Sequence, residues 1–152
     1  MIKPDSKTTP VRQVMNSSFS RNGCPSINDT MFTGSHKNKT IFNTLLMIRA
    51  LQYLAVSDIS QFYNNVRINQ KDSSLHTVLW RPHGIVCDCG CPLEELCYMT
   101  LNFGMRCAQC AANLAKLDAS LKFIAPRSPQ AHHFVELSYT DDLFAGGTIL
   151  EQ

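Results

Sequence analysis

Apolar and polar positions change period several times along this chain, and each change predicts an element. Residues 1–8 are a loose polar tail. Thr9–Met15 alternates as a strand does, with Val11, Gln13 and Met15 on one face and Arg12 and Val14 on the other. Residues 16–40 are rich in Ser, Asn, Gly and Thr and predict mostly loop, anchored by Ile27, Met31 and Phe32. From Thr40 the period becomes helical: Phe42, Leu45, Leu46 and Ile48 share a face, and Thr40 stands as N-cap. Tyr53–Ser57 reads as a buried strand that ends at Asp58, and residues 59–64 as a helical turn. Val66–Ile68 and His76–Arg81 read as the two strands of a β-hairpin arm, joined by the polar residues 69–74. Residues 84–95 are irregular, and Cys97–Leu101 is a short strand. Cys107–Ile124 is the strongest helix: Cys110, Leu114, Leu117 and Leu121 form a stripe, and Pro126 and Pro129 end it. Residues 133–150 are two apolar runs interrupted by Tyr139-Thr140-Asp141-Asp142, the pattern of a final hairpin.

Strands, helices and hairpins in this mixed order predict an α+β fold with a largely antiparallel sheet. Composition alters that picture only a little. With 152 residues the chain holds one ordinary domain or part of a larger one. Only 17% of its residues are charged, against roughly 25% in an average globular protein. Its surface is therefore expected to meet a further segment. A net charge of +2 is too mild to argue for nucleic acid by itself. The N-terminus has no apolar signal core, and no run approaches the ~18 apolar residues of a membrane span. The expectation is an intracellular protein, cytoplasmic or nuclear, not secreted and without a membrane partner. Seven cysteines in such a chain are expected as reduced thiols.

The candidate chemistry lies in the acids. Neighbouring side chains on a strand point to opposite faces, so Asp141-Asp142 suits a tight turn better than a regular strand. A carboxylate pair at a turn suits a hard cation such as Mg²⁺, which takes oxygen ligands and usually only one or two protein carboxylates. A solvated Asp-Asp turn is the competing reading, since Asp is a common turn residue. Asp58, at the end of an apolar strand, supplies a third carboxylate. Three carboxylates around one cleft would hold two Mg²⁺ ions, an arrangement suited to in-line phosphoryl or nucleotidyl transfer.

Several ordered blocks then carry a resemblance. They are Thr9-Pro-Val-Arg-Gln-Val-Met-Asn-Ser-Ser, Pro25-Ser-Ile-Asn-Asp-Thr-Met-Phe-Thr-Gly, Leu54-Ala-Val-Ser-Asp-Ile-Ser-Gln-Phe-Tyr, Leu79-Trp-Arg, Tyr98-Met-Thr-Leu-Asn-Phe-Gly-Met and Tyr139-Thr-Asp-Asp-Leu-Phe-Ala-Gly-Gly. Over roughly residues 9–150 the chain resembles the reverse transcriptase of a retroelement, most closely the BEL/Pao class of LTR retrotransposons. The resemblance implies a polymerase palm, an antiparallel sheet packed on helices, with partial β-rich fingers and no thumb. Its implied segments are partial fingers at 9–33, palm at 34–65, a fingers hairpin arm at 66–102 and palm again at 103–152. The implied activity is RNA-directed DNA polymerisation with two Mg²⁺ or Mn²⁺ ions, adding dNTP to a primer on an RNA or DNA template. Asp58 and Asp141 would be the principal metal ligands, with Asp142 beside them and the Ile59 carbonyl adding a ligand. Arg12 would clamp the triphosphate, a task suited to a planar guanidinium. Tyr63 would be the aromatic gate against a ribose 2′-OH, Phe103-Gly104 would line the nucleotide pocket, and Tyr139 would lie near the primer end.

The chain departs from that pattern at Asn16, where the family has Asp, and at Asn102, where it has Pro. Cys107-Ala-Gln-Cys110 replaces a stretch close to Ser-Ser-Pro. The thumb and RNase H segments of the larger polyprotein would be missing partners, so isolated activity is expected to be weak or absent. The alternative is a catalytically silent retroelement remnant that binds nucleic acid or protein. A zinc site built from Cys87, Cys89, Cys91, Cys97, Cys107 and Cys110 is a further candidate. A Cys-x-Cys-x-Cys run spaces ligands poorly for it.

Overall fold

The computed structural model describes residues 15–35, 40–81, 90–128 and 137–147. Arg12, the strand expected at 9–15 apart from Met15, Cys87, Cys89 and Pro129 lie outside the described residues. The fold mixes helices with antiparallel sheet, as expected. The chain divides into two compact units. One comprises Met1–Met31 and Tyr63–Ala108, the other Phe32–Phe62 and Gln109–Gln152.

The second of these units is built on a three-stranded antiparallel sheet of order β1-β5-β4, with β1 Tyr53–Asp58, β4 Ser138–Tyr139 and β5 Asp142–Gly147. Two helices belong to it, α2 (Ile41–Arg49) and α3 (Ala108–Ala119, begun at the last residue of the other unit). Thr40 caps α2 as predicted, its hydroxyl accepting from the Asn43 N–H at 3.2 Å. The buried face of α2 differs from the expected one. Thr44 is its buried residue, while Phe42, Leu45 and Leu46 are exposed and Ile48 is half-buried. β1 ends at Asp58 as expected but is not a buried strand, since all six residues are exposed. It is paired only with β5 among the described residues, which covers an edge but neither face.

α3 also buries a different stripe. Leu114, Leu117 and Leu121 are exposed, whereas Ala108, Ala112 and Ser120 are 3%, 0% and 2% exposed. Ala108 and Ala112 lie four residues apart on one helix face, Ser120 follows eight residues on, just past the helix end, and small side chains there allow a close approach. Past Ala119 the chain loosens into a π-helical stretch, Ser120–Ile124, in which the Ala125 N–H donates to the Ser120 carbonyl at 2.9 Å. Pro126, which has no N–H, follows directly.

The other unit holds α1 (Ile27–Thr30), β2 (Thr77–Trp80) and β3 (Glu94–Cys97). α1 falls inside the expected loop. Its signal is a capping box: the Ser26 hydroxyl accepts from the Asp29 N–H, and Asp29 accepts from the Ser26 N–H at 2.9 Å. The hairpin arm is paired differently from the expectation. β2 pairs with β3, not with Val66–Ile68. Val66–Ile68 instead bonds to residues 99–101, through Ile68 N–H to the Met99 carbonyl and Leu101 N–H to the Val66 carbonyl. Residues 69–76 explain this. Asn69 accepts from the Lys71 N–H, and Ser73–His76 coils into a 3₁₀ turn, so the chain is redirected rather than folded back.

Candidate functional site

The acids meet through strand register. Asp58 and Asp142 are partners across β1 and β5. The Ile59 N–H donates to the Asp141 carbonyl at 2.9 Å, one residue beyond that pair on each strand. This places Asp58 and Asp142 at a non-hydrogen-bonded position, where cross-strand side chains share a face and stand closest, with Cβ atoms about 4.5–5.5 Å apart. Among the described residues neither has a salt-bridge partner. Two like charges directly opposed repel each other, and a divalent cation is the natural compensation.

Asp141 sits beside them in the turn. Tyr139 and Asp142 are β4–β5 partners, leaving Thr140 and Asp141 as a two-residue loop. Thr140 has φ of +51°, and Asp141 has no positive φ. A positive φ at the first central position of a two-residue hairpin loop is normally taken by Gly, Asn or Asp. A β-branched residue there is strained.

Lys116 holds this turn. From α3 its ammonium donates to the Thr140 carbonyl at 2.8 Å and to the Ser138 hydroxyl at 2.9 Å. It also stands 5.4 Å from the centre of the buried Phe62 ring. Burial pushes the Lys116 amine down to about 8, with the Asp141 carboxylate opposing the shift. Sequence reasoning missed this residue. The available signal was a Lys at the centre of the row Ala108, Ala112, Lys116, Ser120, where every other member is small and buried.

The other unit brings together Tyr63 and Phe103. Their rings meet edge to face, with centroids 4.8 Å apart and planes at 81°. Gly104 follows with φ of +95°, and a Cβ there would stand 2.6 Å from the Met15 carbonyl oxygen. Asn28, 6% exposed, fixes this loop: its Nδ2 donates to the Gly104 carbonyl at 2.9 Å and to the Ser18 hydroxyl at 2.8 Å, and its Oδ1 accepts from the Arg106 N–H at 2.8 Å. Nothing in the spacing of Asn28 announces a contact 76 residues away. Asn102, also buried, leaves its Nδ2 without a partner among the described residues.

Among the described residues the sulfurs do not converge on one site. Cys107 Sγ lies 3.7 Å from Met31 Sδ, and Cys110 Sγ donates to the Ser35 carbonyl at 3.8 Å. Among the described residues no group of three or more His, Cys, Asp or Glu side chains is placed to hold a metal ion. The acids therefore come as an opposed pair with a neighbour in the turn, a donor set that suits a cation taking one or two carboxylates. No protein-family model matches the chain, and no curated protein matches it. No described helix is long and apolar enough to cross a membrane.

Proposed function

We propose that this chain is the fingers-and-palm part of a retroelement RNA-directed DNA polymerase, which joins dNTP to a primer 3′-OH on an RNA or DNA template. The observation that carries the reading is the register of Asp58 against Asp142 at the mouth of the Tyr139–Asp142 hairpin. Asp58 and Asp142 supply hard oxygen ligands on one face, Asp141 adds its charge from the turn, and the Ile59 carbonyl is a further oxygen donor. When bound, two Mg²⁺ or Mn²⁺ ions would activate the attacking hydroxyl and neutralise the leaving pyrophosphate. Tyr63 is steadied by the Phe103 ring, as an aromatic gate against a ribose 2′-OH must be. Asn28 and Gly104 give the adjoining loop a single shape, so a nucleotide bound there would meet preorganised groups. Tyr139, paired with Asp142 across the hairpin, would lie near the primer end. Triphosphate clamping falls to Arg12.

A second reading is a catalytically silent module that binds nucleic acid or protein. It is favoured by the absence of a converged three-carboxylate group among the described residues. Primer extension with the chain in excess over primer–template, in Mg²⁺ and in Mn²⁺, separates the two. The polymerase reading expects slow addition of a few dNTPs, lost in Asp141→Asn, with Tyr63→Ala relaxing the bias against rNTP. Primer–template binding without addition above the Asp141→Asn level selects the silent module. Sustained extension would overturn the expectation of weak, non-processive activity.

A further inference from the structure

The Tyr139–Asp142 turn carries a conformation that its own residues do not favour. Thr140, β-branched, holds φ of +51° where Gly, Asn or Asp is the usual choice. Its carbonyl and the Ser138 hydroxyl, on either side of Tyr139, both accept from one ammonium group. That group reaches them from α3, from a half-buried position in a row of small residues. The stem lies beside the buried Phe62, whose ring faces the cation. Lys116 is thus fixed at both ends, by the helix and by the hairpin. On the other side of the turn, the Asp141 carbonyl is tied to the Ile59 N–H, one residue past Asp58.

We propose that Lys116 is a positioning residue for the acid pair: it clamps the Thr140–Asp141 turn and thereby sets where the Asp141 and Asp142 carboxylates stand relative to Asp58. The clamp itself stands on geometry alone. Its use in holding a divalent cation rests on the polymerase reading.

Two effects of Lys116 on cation binding have opposite signs, which makes them separable. Its positive charge near Asp141 repels a cation, so removing the charge alone would tighten binding. Its hydrogen bonds order the ligands, so removing them weakens binding. Clamping is expected to dominate.

The turn has a built-in reporter in the Ile59 amide, bonded to the Asp141 carbonyl. The Gln52 amide, bonded to the Gly147 carbonyl at the far end of the sheet, is the control. Hydrogen exchange on the full chain is expected to show Ile59 exchanging at least about tenfold faster in Lys116→Met, with Gln52 unchanged and Ile59 protection recovered in Lys116→Arg. Equal acceleration of both amides would mean a merely structural role and would overturn the proposal. So would no change at Ile59. If Lys116→Met fails to fold, the wild-type chain still decides. A scalar coupling across the hydrogen bond from Lys116 Nζ to the Thr140 carbonyl carbon is expected, and its absence refutes the clamp. Mn²⁺ titration by electron paramagnetic resonance gives the ligand arm, with about tenfold weaker binding expected in Lys116→Met. Unchanged or tighter binding would refute the positioning role. Wild-type Mn²⁺ binding that Asp58→Asn leaves intact would instead overturn the polymerase reading, while the exchange result would still judge the clamp.

Discussion

Replacing Asp58 with Asn should make the chain more stable without divalent ions and less responsive to them. Asp58 and Asp142 face each other at a non-hydrogen-bonded position of the β1–β5 ladder. Two unit charges about 5 Å apart repel by ~0.8 kcal/mol in a fully aqueous environment and by ~3 kcal/mol at an effective dielectric constant of about 20. Asp58 is exposed and Asp142 half-buried, so a value near the lower limit, about 1 kcal/mol, is the appropriate one. Asn is close in shape and uncharged, so Asp58→Asn should recover most of that amount. On the polymerase reading, magnesium should reverse the order. A cation that binds only the folded chain stabilises it by RT ln(1 + [L]/Kd), which is ~1.4 kcal/mol at a concentration about ten times Kd. The wild-type chain should gain this and the variant should not. Urea unfolding at low ionic strength, with and without about 10 mM Mg²⁺, measures both effects. Asp58→Asn should show the higher midpoint without Mg²⁺, and the difference should shrink or invert when Mg²⁺ is added. Raising NaCl should shrink the first effect, because salt screens exposed charges. A variant less stable than wild type without Mg²⁺, or an equal Mg²⁺ response in both, would refute the opposed-pair argument.

Other residues make equally definite claims. Asn28→Ala removes the hydrogen bonds to the Gly104 carbonyl and from the Arg106 N–H, each worth about 0.5–1.5 kcal/mol net. Urea unfolding should show a loss of about 2 kcal/mol, and Asn28→Asp, which keeps the acceptor, should lose less. His76 is 5% exposed, and burial lowers its pKa below the ordinary 6.5, with Asp72 opposing. The unfolded chain therefore takes up the proton first as pH falls, so stability is full above about 6.5 and declines below it. His76→Gln should flatten that dependence between about pH 7.5 and 5; an unchanged slope would refute the assignment. Gly146→Ala would drive a Cβ into the Tyr53 carbonyl oxygen and to 2.9 Å from Leu51 Cδ1. Overpacking of this kind costs roughly 1–3 kcal/mol, and thermal unfolding should report it, while an unchanged midpoint would show that β1 and β5 separate freely.

Elements with a local cause were legible in the sequence. The α2 N-cap needed only Thr40, and the final hairpin needed only two acids between apolar runs. The end of β1 at Asp58 was legible for the same reason. What failed was burial and partner choice. The stripe Leu114, Leu117, Leu121 has helical spacing, yet the face that packs is Ala108, Ala112, Ser120. Periodicity shows which side of a helix is apolar; it does not show which side meets a neighbour. Small residues can win that contest because they let backbones approach closely. The arm failed differently. Strand-like patterns at Val66–Ile68 and His76–Arg81 do not specify a pairing, and the 3₁₀ turn at Ser73–His76 redirected the chain toward residues 94–101. The sequence puts Asp58 in one cleft with Asp141 and Asp142, but the direct opposition of Asp58 and Asp142 follows from register, which nothing in their spacing encodes.

The hairpin turn shows why local and tertiary signals must be weighed together. A left-handed conformation at a non-glycine residue costs roughly 1–2 kcal/mol, and Thr140 is a poor residue to bear it. On local preference alone, Tyr139–Asp142 would favour another turn type, one with Asp141 placed differently. Hydrogen bonds from a charged donor are each worth about 1.5–3 kcal/mol, and Lys116 gives two to this turn. Desolvation of the amine, visible in its fall to about 8, takes back part of that gain. Strain and clamp thus oppose each other within a few kcal/mol, so the acid geometry depends on a residue 24 positions away from Thr140. A turn held by so narrow a margin should loosen when its clamp is removed, whereas the β1–β5 ladder, which does not use Lys116, should not.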